Sequence, residues 1–249
     1  MRRYFLEVAY KGTNYSGSQV QQNANSIQAE IEKAFAVLQS GEVSLTGSSR
    51  TDAGVHALQN FFHFDYAGKL HPHFTYKMNA ILPADIVVKK IILMKDDAHC
   101  RFDAVSREYK YFIYQEKNPF LQDRAFYFPY KLEFGQMQKT AEAVINYTDF
   151  TSFSKRNTQA KTFICRITES YWERDNGNLI FNVTGDRFLR GMVRGLVATM
   201  LEVGRGRLTT SNFRDIAEAR DCTMASFAVP PHGLYLVRVN YPGGYFPRS

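Results

Sequence analysis

The spacing of apolar residues switches between a period of two and a period near four in one order, and that order occurs twice. Residues 3–10 alternate as a strand, and residues 26–39 place Ile27, Ile31, Phe35 and Leu38 at helical spacing. Strand patterns follow near 42–46 and 60–66, then a short helix near 73–80 and a strand near 86–94. From Glu108 the sequence runs again through strand, helix (134–145), two strands (163–172 and 179–184), helices (187–203 and 211–219) and a final strand (234–239). Each run predicts a βαββαβ unit, the ferredoxin-like arrangement. The expected fold class is therefore α+β: two ferredoxin-like halves with mainly antiparallel sheets around a central cleft. The boundary falls in the segment 98–107, giving an N-terminal half of 1–105 and a C-terminal half of 106–249. No Gly/Ser-rich or Pro-rich linker separates them, so two intimate halves are expected rather than independent domains. Asn25 with Gln28 predicts a capping box for the first helix, and Asp175-Asn176-Gly177-Asn178 predicts a hairpin turn.

One connection stands out chemically. Gly47-Ser48-Ser49-Arg50-Thr51-Asp52-Ala53-Gly54-Val55-His56-Ala57 joins two strands and is rich in small residues. Loops held on a rigid sheet are where functional residues concentrate. Taken alone, Asp52 before Ala-Gly also fits a turn aspartate bonding its own backbone. The helix predicted at 187–203 is the second such stretch. Phe188, Met192, Leu196 and Met200 form one apolar stripe and Leu189, Val193, Val197 and Leu201 another, with Arg190 and Arg194 on a third. Gly191 and Gly195 are placed for close approach by another backbone. Arg187, Arg190, Arg194, Arg205 and Arg207 make a cationic cluster suited to phosphate contacts.

Composition narrows the class of partner. The formal net charge is +7, which favours a polyanion such as nucleic acid or an anionic membrane surface. No apolar run reaches the length of a membrane span, and the N-terminus lacks a signal-peptide pattern. Cys100, Cys165 and Cys222 contain no Cys-x-x-Cys and imply neither a disulfide framework nor zinc. These features predict a cytoplasmic protein with no membrane and no metal. His71-Pro72-His73 is the one close histidine pair and reads as a turn and helix start. A zinc deaminase is excluded by the missing His-x-Glu and Pro-Cys-x-x-Cys. P-loop, dinucleotide and Gly-x-Ser-x-Gly fingerprints are also absent. A non-catalytic RNA-binding module of paired ferredoxin-like halves fits the charge and the element order, but it gives the Arg50–Asp52 loop no role.

The loop string Ser49-Arg50-Thr51-Asp52-Ala53-Gly54-Val55-His56-Ala57 resembles the active-site loop of the tRNA pseudouridine synthase A family. Further segments resemble that family in order: Ser26-Ile27-Gln28, Met78 to Ile86, Ala98 to Ala104 followed by Arg107 to Tyr111, Asp149 to Phe153, Phe188-Leu189 with Met192 to Arg194, and Gly233 to Leu236. The resemblance spans nearly the whole chain. It implies the pseudouridine synthase fold, a homodimer, no cofactor, and action on uridines 38–40 of the tRNA anticodon stem-loop. It makes Asp52 the catalytic carboxylate and sets Tyr109 against the target base. Arg194 would pair with Asp52, Arg50 would hold the anticodon arm or fill the place of the flipped base, and Leu234 would line the pocket. By pattern alone, Tyr109 and Leu234 read as core residues. The chain departs from the family at Ser18-Gln19, where tryptophan-glutamine is usual, at Ser49 in place of glycine, and at Arg190-Gly191.

Overall fold

The computed structural model describes residues 1–39, 41–156, 158 and 160–247. The chain divides into two compact units, Met1–Val105 with Tyr235–Ser249, and Ser106–Leu234. The last fifteen residues, expected with the C-terminal half, belong instead to the first unit.

In the first unit, β1 (Arg2–Tyr10) lies between β4 (Ile86–Leu93) and β3 (His56–Tyr66), antiparallel to both. The far side of β3 is shared. Its C-terminal end pairs with the two-residue β2 (Thr46–Gly47), and its N-terminal end pairs in parallel with β9 (Leu234–Asn240). The strand expected over 42–46 is thus confined to Thr46–Gly47. Alternation decides the two faces. Tyr4, Leu6, Val8, Phe62 and Phe64 point to one side, where α1 (Ile27–Gln39) and α2 (Phe74–Ile81) cover them. There Phe35 packs edge-on against Phe64 and Phe74, each with centroids 5.2 Å apart. Phe5, Phe61 and His63 point to the other side, under Tyr241, Tyr245 and Phe246 of the C-terminal tail. Tyr241 Oη donates to Cys100 O at 2.6 Å and Tyr245 Oη to Asp103 Oδ2 at 2.6 Å, which fastens the tail.

The cap of α1 is not the expected one. Ser26 Oγ accepts from Ala29 N at 3.2 Å, satisfying an N-terminal amide of the helix. Gln28 is engaged elsewhere, its amide nitrogen donating to Leu45 O at 2.9 Å and its oxygen accepting from Val20 N at 3.3 Å.

In the second unit, β8 (Asn178–Gly185) lies between β5 (Ser106–Tyr114) and β7 (Ile167–Asp175), antiparallel to both, and β6 (Phe126–Tyr127) pairs in parallel with β5. The predicted strand 163–172 therefore begins only at Ile167. The hairpin turn falls where expected, with Asn176 at φ 47° and Gly177 at φ 80°. Positive φ at both central residues matches the twist of the strands it joins. Helices α3 (Phe134–Ala143), α4 (Met192–Gly204) and α5 (Thr210–Ala219) complete the unit. The fold is α+β with mainly antiparallel sheets. Helix α4 starts five residues later than predicted, because Gly191 takes φ 75° and ends the preceding turn. Arg187 and Arg190 therefore lie before the helix, and Arg190 does not share a stripe with Arg194. Gly195 is approached by the Phe227 ring rather than by a backbone.

Candidate active site

The loop from Ser48 to Val55 is braced by residues distant in sequence. Thr51 N donates to Ser18 Oγ at 2.9 Å, and Ser18 N donates to Thr51 O at 3.1 Å. Gly54 N donates to Tyr15 O at 3.2 Å. From beneath, the buried Thr51 hydroxyl meets Tyr10 Oη at 2.9 Å. Asn60 Nδ2 donates to Tyr10 Oη and to Ser49 O, each at 3.1 Å, and Asn60 Oδ1 accepts from Ser48 Oγ at 2.9 Å. Ser18, Ser48, Thr51 and Asn60 are all buried. A buried polar group left without a partner costs about 1–3 kcal/mol, so a satisfied network of this size fixes one loop conformation.

Two glycines set how closely the loops approach. A Cβ on Gly12 would collide with the Val55 carbonyl oxygen. Gly17 has φ 117°, and a Cβ there would stand 2.8 Å from Thr51 O. Gly12 N also donates to His56 Nδ1 at 2.9 Å, which holds the imidazole at the start of β3.

Asp52 sits in this frame half-buried, with Arg50 exposed two residues before it. The turn over 52–55 is closed by main chain, Val55 N donating to Asp52 O at 3.1 Å, with Gly54 at φ 77°. That bond does not use the carboxylate. A half-buried carboxylate on a rigid loop can serve as a nucleophile or stabilise a developing cation.

Tyr109, Arg194 and Leu234 belong to the second unit. Tyr109 is buried on β5 with its ring edge-on to Phe188, centroids 5.0 Å apart. Arg194 extends from α4, and its Nε and Nη2 both donate to Val229 O, at 3.0 and 2.6 Å. Tyr111 Oη donates to the next carbonyl, Pro230 O, at 2.7 Å. These bonds secure the segment that leads through the turn Pro231–Gly233 into the buried Leu234. Gly233 lies flat on the Tyr111 ring, where a Cβ would come within 2.7 Å.

Sequence reasoning missed Ser18, Asn60 and Tyr10. Ser18 stands where the family has a tryptophan, and its hydroxyl and amide both bond Thr51. Among the described residues, no group of three or more His, Cys, Asp or Glu is placed to hold a metal ion. His71 Nδ1 accepts from His73 N at 3.1 Å, so the pair shapes the turn into α2. No helix of the described residues is long and apolar enough to cross a membrane.

Comparison with known proteins gives a consistent result. The family described as tRNA pseudouridine synthase matches residues 7–103 and 147–242. The chain is 44% identical over 249 residues to the tRNA pseudouridine synthase A of Parabacteroides distasonis, covering 99% of each. It is 43% identical over 251 residues to that of Porphyromonas gingivalis, covering 99% of this chain and 100% of the relative. It is 36% identical over 240 residues to that of Staphylococcus aureus, covering 95% and 90%.

Proposed function

The chain belongs to the tRNA pseudouridine synthase family, and from that premise we propose that it isomerises uridines 38–40 of the tRNA anticodon stem-loop, with Asp52 as the catalytic carboxylate. It is an enzyme, an isomerase acting on tRNA. The reaction breaks the bond from ribose C1′ to uracil N1 and forms one from C1′ to C5. N1 gains a proton and C5 loses one, so atoms and electrons balance without a redox partner or a transferred group. The chemistry requires a carboxylate near C1′ and a pocket that retains the freed base. Attack at C1′, stabilisation of its cationic character, and removal of a sugar proton to give a glycal are the routes open to Asp52.

The observation that carries the reading is the frame around Asp52. Buried hydrogen bonds from Ser18, Tyr10 and Asn60 fix the loop, and main chain closes the turn at Asp52 itself. The resemblance supplies the remaining roles. Arg194 pairs with Asp52 and orients it, and Tyr109 stacks on the base, which can return roughly 1–3 kcal/mol of the cost of unstacking it. Leu234 lines the pocket and Arg50 holds the RNA arm. A homodimer in the cytoplasm belongs to the same reading.

The test is to incubate the protein with unmodified tRNA and map pseudouridine at single-nucleotide resolution. Asp52→Asn should reduce conversion to less than about a thousandth of wild type, the scale of loss when a catalytic group is removed. Its unfolding free energy should stay within about 0.5 kcal/mol, since asparagine keeps the size and most of the hydrogen-bonding capacity of aspartate and is well tolerated in turns. Normal conversion by Asp52→Asn rejects the assignment.

A further inference from the structure

Beside the Asp52 loop, within the first unit, lies a second feature that the target base does not account for. A cavity of about 340 Å³ is walled by Gln19, Gln28, Ser49, Arg50, Arg101 and Phe102, among others. Its lining includes Arg50 but not Asp52. Phe102 is 74% exposed, yet it is held in place. Its ring stacks on His99, with centroids 4.1 Å apart and planes 30° apart. His99 Nδ1 accepts from Arg101 N at 3.1 Å and Phe102 N at 3.3 Å. The turn is closed again by Asp103 Oδ2, which accepts from His99 N at 2.8 Å and from the Tyr245 hydroxyl at 2.6 Å. The result is an aromatic face ordered on one side and open to solvent on the other. The Arg101 guanidinium carbon lies 5.8 Å from the centre of the Phe102 ring.

The cavity wall also contains an unspent polar group. Ser49 Oγ is buried and has no hydrogen-bond partner among the described residues. A buried hydroxyl in that state costs free energy unless something completes it.

We propose that this cavity is a subsite for a second nucleotide of the RNA substrate, an unstacked one near the target uridine, whose base stacks on Phe102 and whose phosphate contacts Arg50 and Arg101. The proposal rests on RNA being the substrate. An exposed aromatic beside arginines, opening on a polar cavity, is the chemistry that holds single-stranded nucleic acid, because every base offers a stacking face and every phosphate a charge. Arg50 is shared between this cavity and the Asp52 loop, so the occupant is a neighbour of the reacting residue along the same strand.

The experiment measures equilibrium binding of tRNA transcripts that carry one abasic residue at a time across the single-stranded loops. Wild type, Phe102→Ala and Phe102→Trp are compared, with the equally exposed Phe120→Ala as a control. At one or two positions the abasic residue should weaken wild-type binding roughly tenfold, the size of one lost base stack. The same abasic residue should cost nothing further on Phe102→Ala, while Phe102→Trp and Phe120→Ala should respond like wild type. Equal abasic penalties on wild type and Phe102→Ala would overturn the subsite. So would Phe102→Ala binding intact tRNA as tightly as wild type. The readout needs no turnover. Coupling without pseudouridine formation keeps the subsite and rejects the proposed function; normal conversion without coupling does the reverse.

Discussion

His63 shows how far a single residue's environment departs from what its letter suggests. It lies on β3 beneath the C-terminal tail, and its Nδ1 stands 3.1 Å from Cys100 Sγ and 3.4 Å from Cys100 N. A backbone N–H there requires an unprotonated Nδ1. Burial, followed by the nearby Arg3 charge, lowers its pKa to about 4. The unfolded chain holds an ordinary histidine near 6.5. Between those values the unfolded state binds a proton that the folded state refuses, so stability is full above about pH 6.5 and falls as the pH drops toward 4. Neighbouring His99 is also lowered by burial and adds in the same direction. Asp65 and Asp103, held low by Arg3 and by the His99 amide, lose their contribution only in more acidic solution. Urea unfolding at pH 7 and pH 5 should show a loss for wild type that is smaller for His63→Phe; equal losses would mean that His63 does not titrate as placed. None of this was legible in sequence, because Cys100 and His99 meet His63 only in the fold. The loop residues around Asp52 were legible as a motif, because they are contiguous. Their supports at 10, 18 and 60 were not, since no local pattern joins those positions.

Among the elements, α1 and α4 show what periodicity sees and what it cannot. Both helices were found from their apolar spacing, but both starts were misplaced. Asn25 and Ser26 are adjacent capping types, and only the structure shows which oxygen reaches an amide. Ser26→Ala should cost about 0.5–2 kcal/mol in thermal unfolding, while Asn25→Ala should change it little. The reverse ranking would restore the cap read from sequence. In α4 the apolar spacing runs unbroken through Gly191, and composition does not reveal a left-handed φ. The approach of the Gly12 loop to the Asp52 loop was likewise invisible. Gly12→Ala must push back Val55, and with it the turn that carries Asp52. Conversion should therefore fall sharply, by tenfold or more on the order of the loss expected from a displacement near 1 Å. The helical Gly135, with open space around its Cα, should accept alanine with normal activity and a gain of about 0.5–1 kcal/mol. Equal activity in the two variants would show that the loop contact does not position Asp52.

At the scale of the whole molecule, the element order was legible and the destination of the last strand was not. Strand β9 has the pattern expected of the second half, yet Tyr235 and Leu236 pair with His56 and Ala57 of the first. Pairing partners are set by what the edge of β3 leaves open, and local alternation does not encode that. Net charge belongs to this scale as well. With +7 on 249 residues, association with tRNA should be dominated by phosphate contacts and counterion release. The logarithm of affinity should therefore fall steeply and linearly with the logarithm of salt concentration. The arginine cluster read from sequence is not uniform in the fold. Arg194 donates Nε and Nη2 to Val229 O, and Arg207 lies 3.3 Å from Glu202. Arg205 stands over the Tyr130 ring at 4.0 Å, a stacking that directs its charge without neutralising it. Arg205→Gln should flatten the salt slope by about 0.7–0.9, the share of one phosphate contact. Arg207→Gln should flatten it less, because Glu202 already occupies part of that cation's hydrogen-bonding capacity. Thermal unfolding of both variants checks that the fold is intact, since the lost cation–π contact costs only about 0.5–1 kcal/mol. A slope unchanged by Arg205→Gln would remove the end of α4 from the RNA-binding surface and leave the +7 charge to act through other residues.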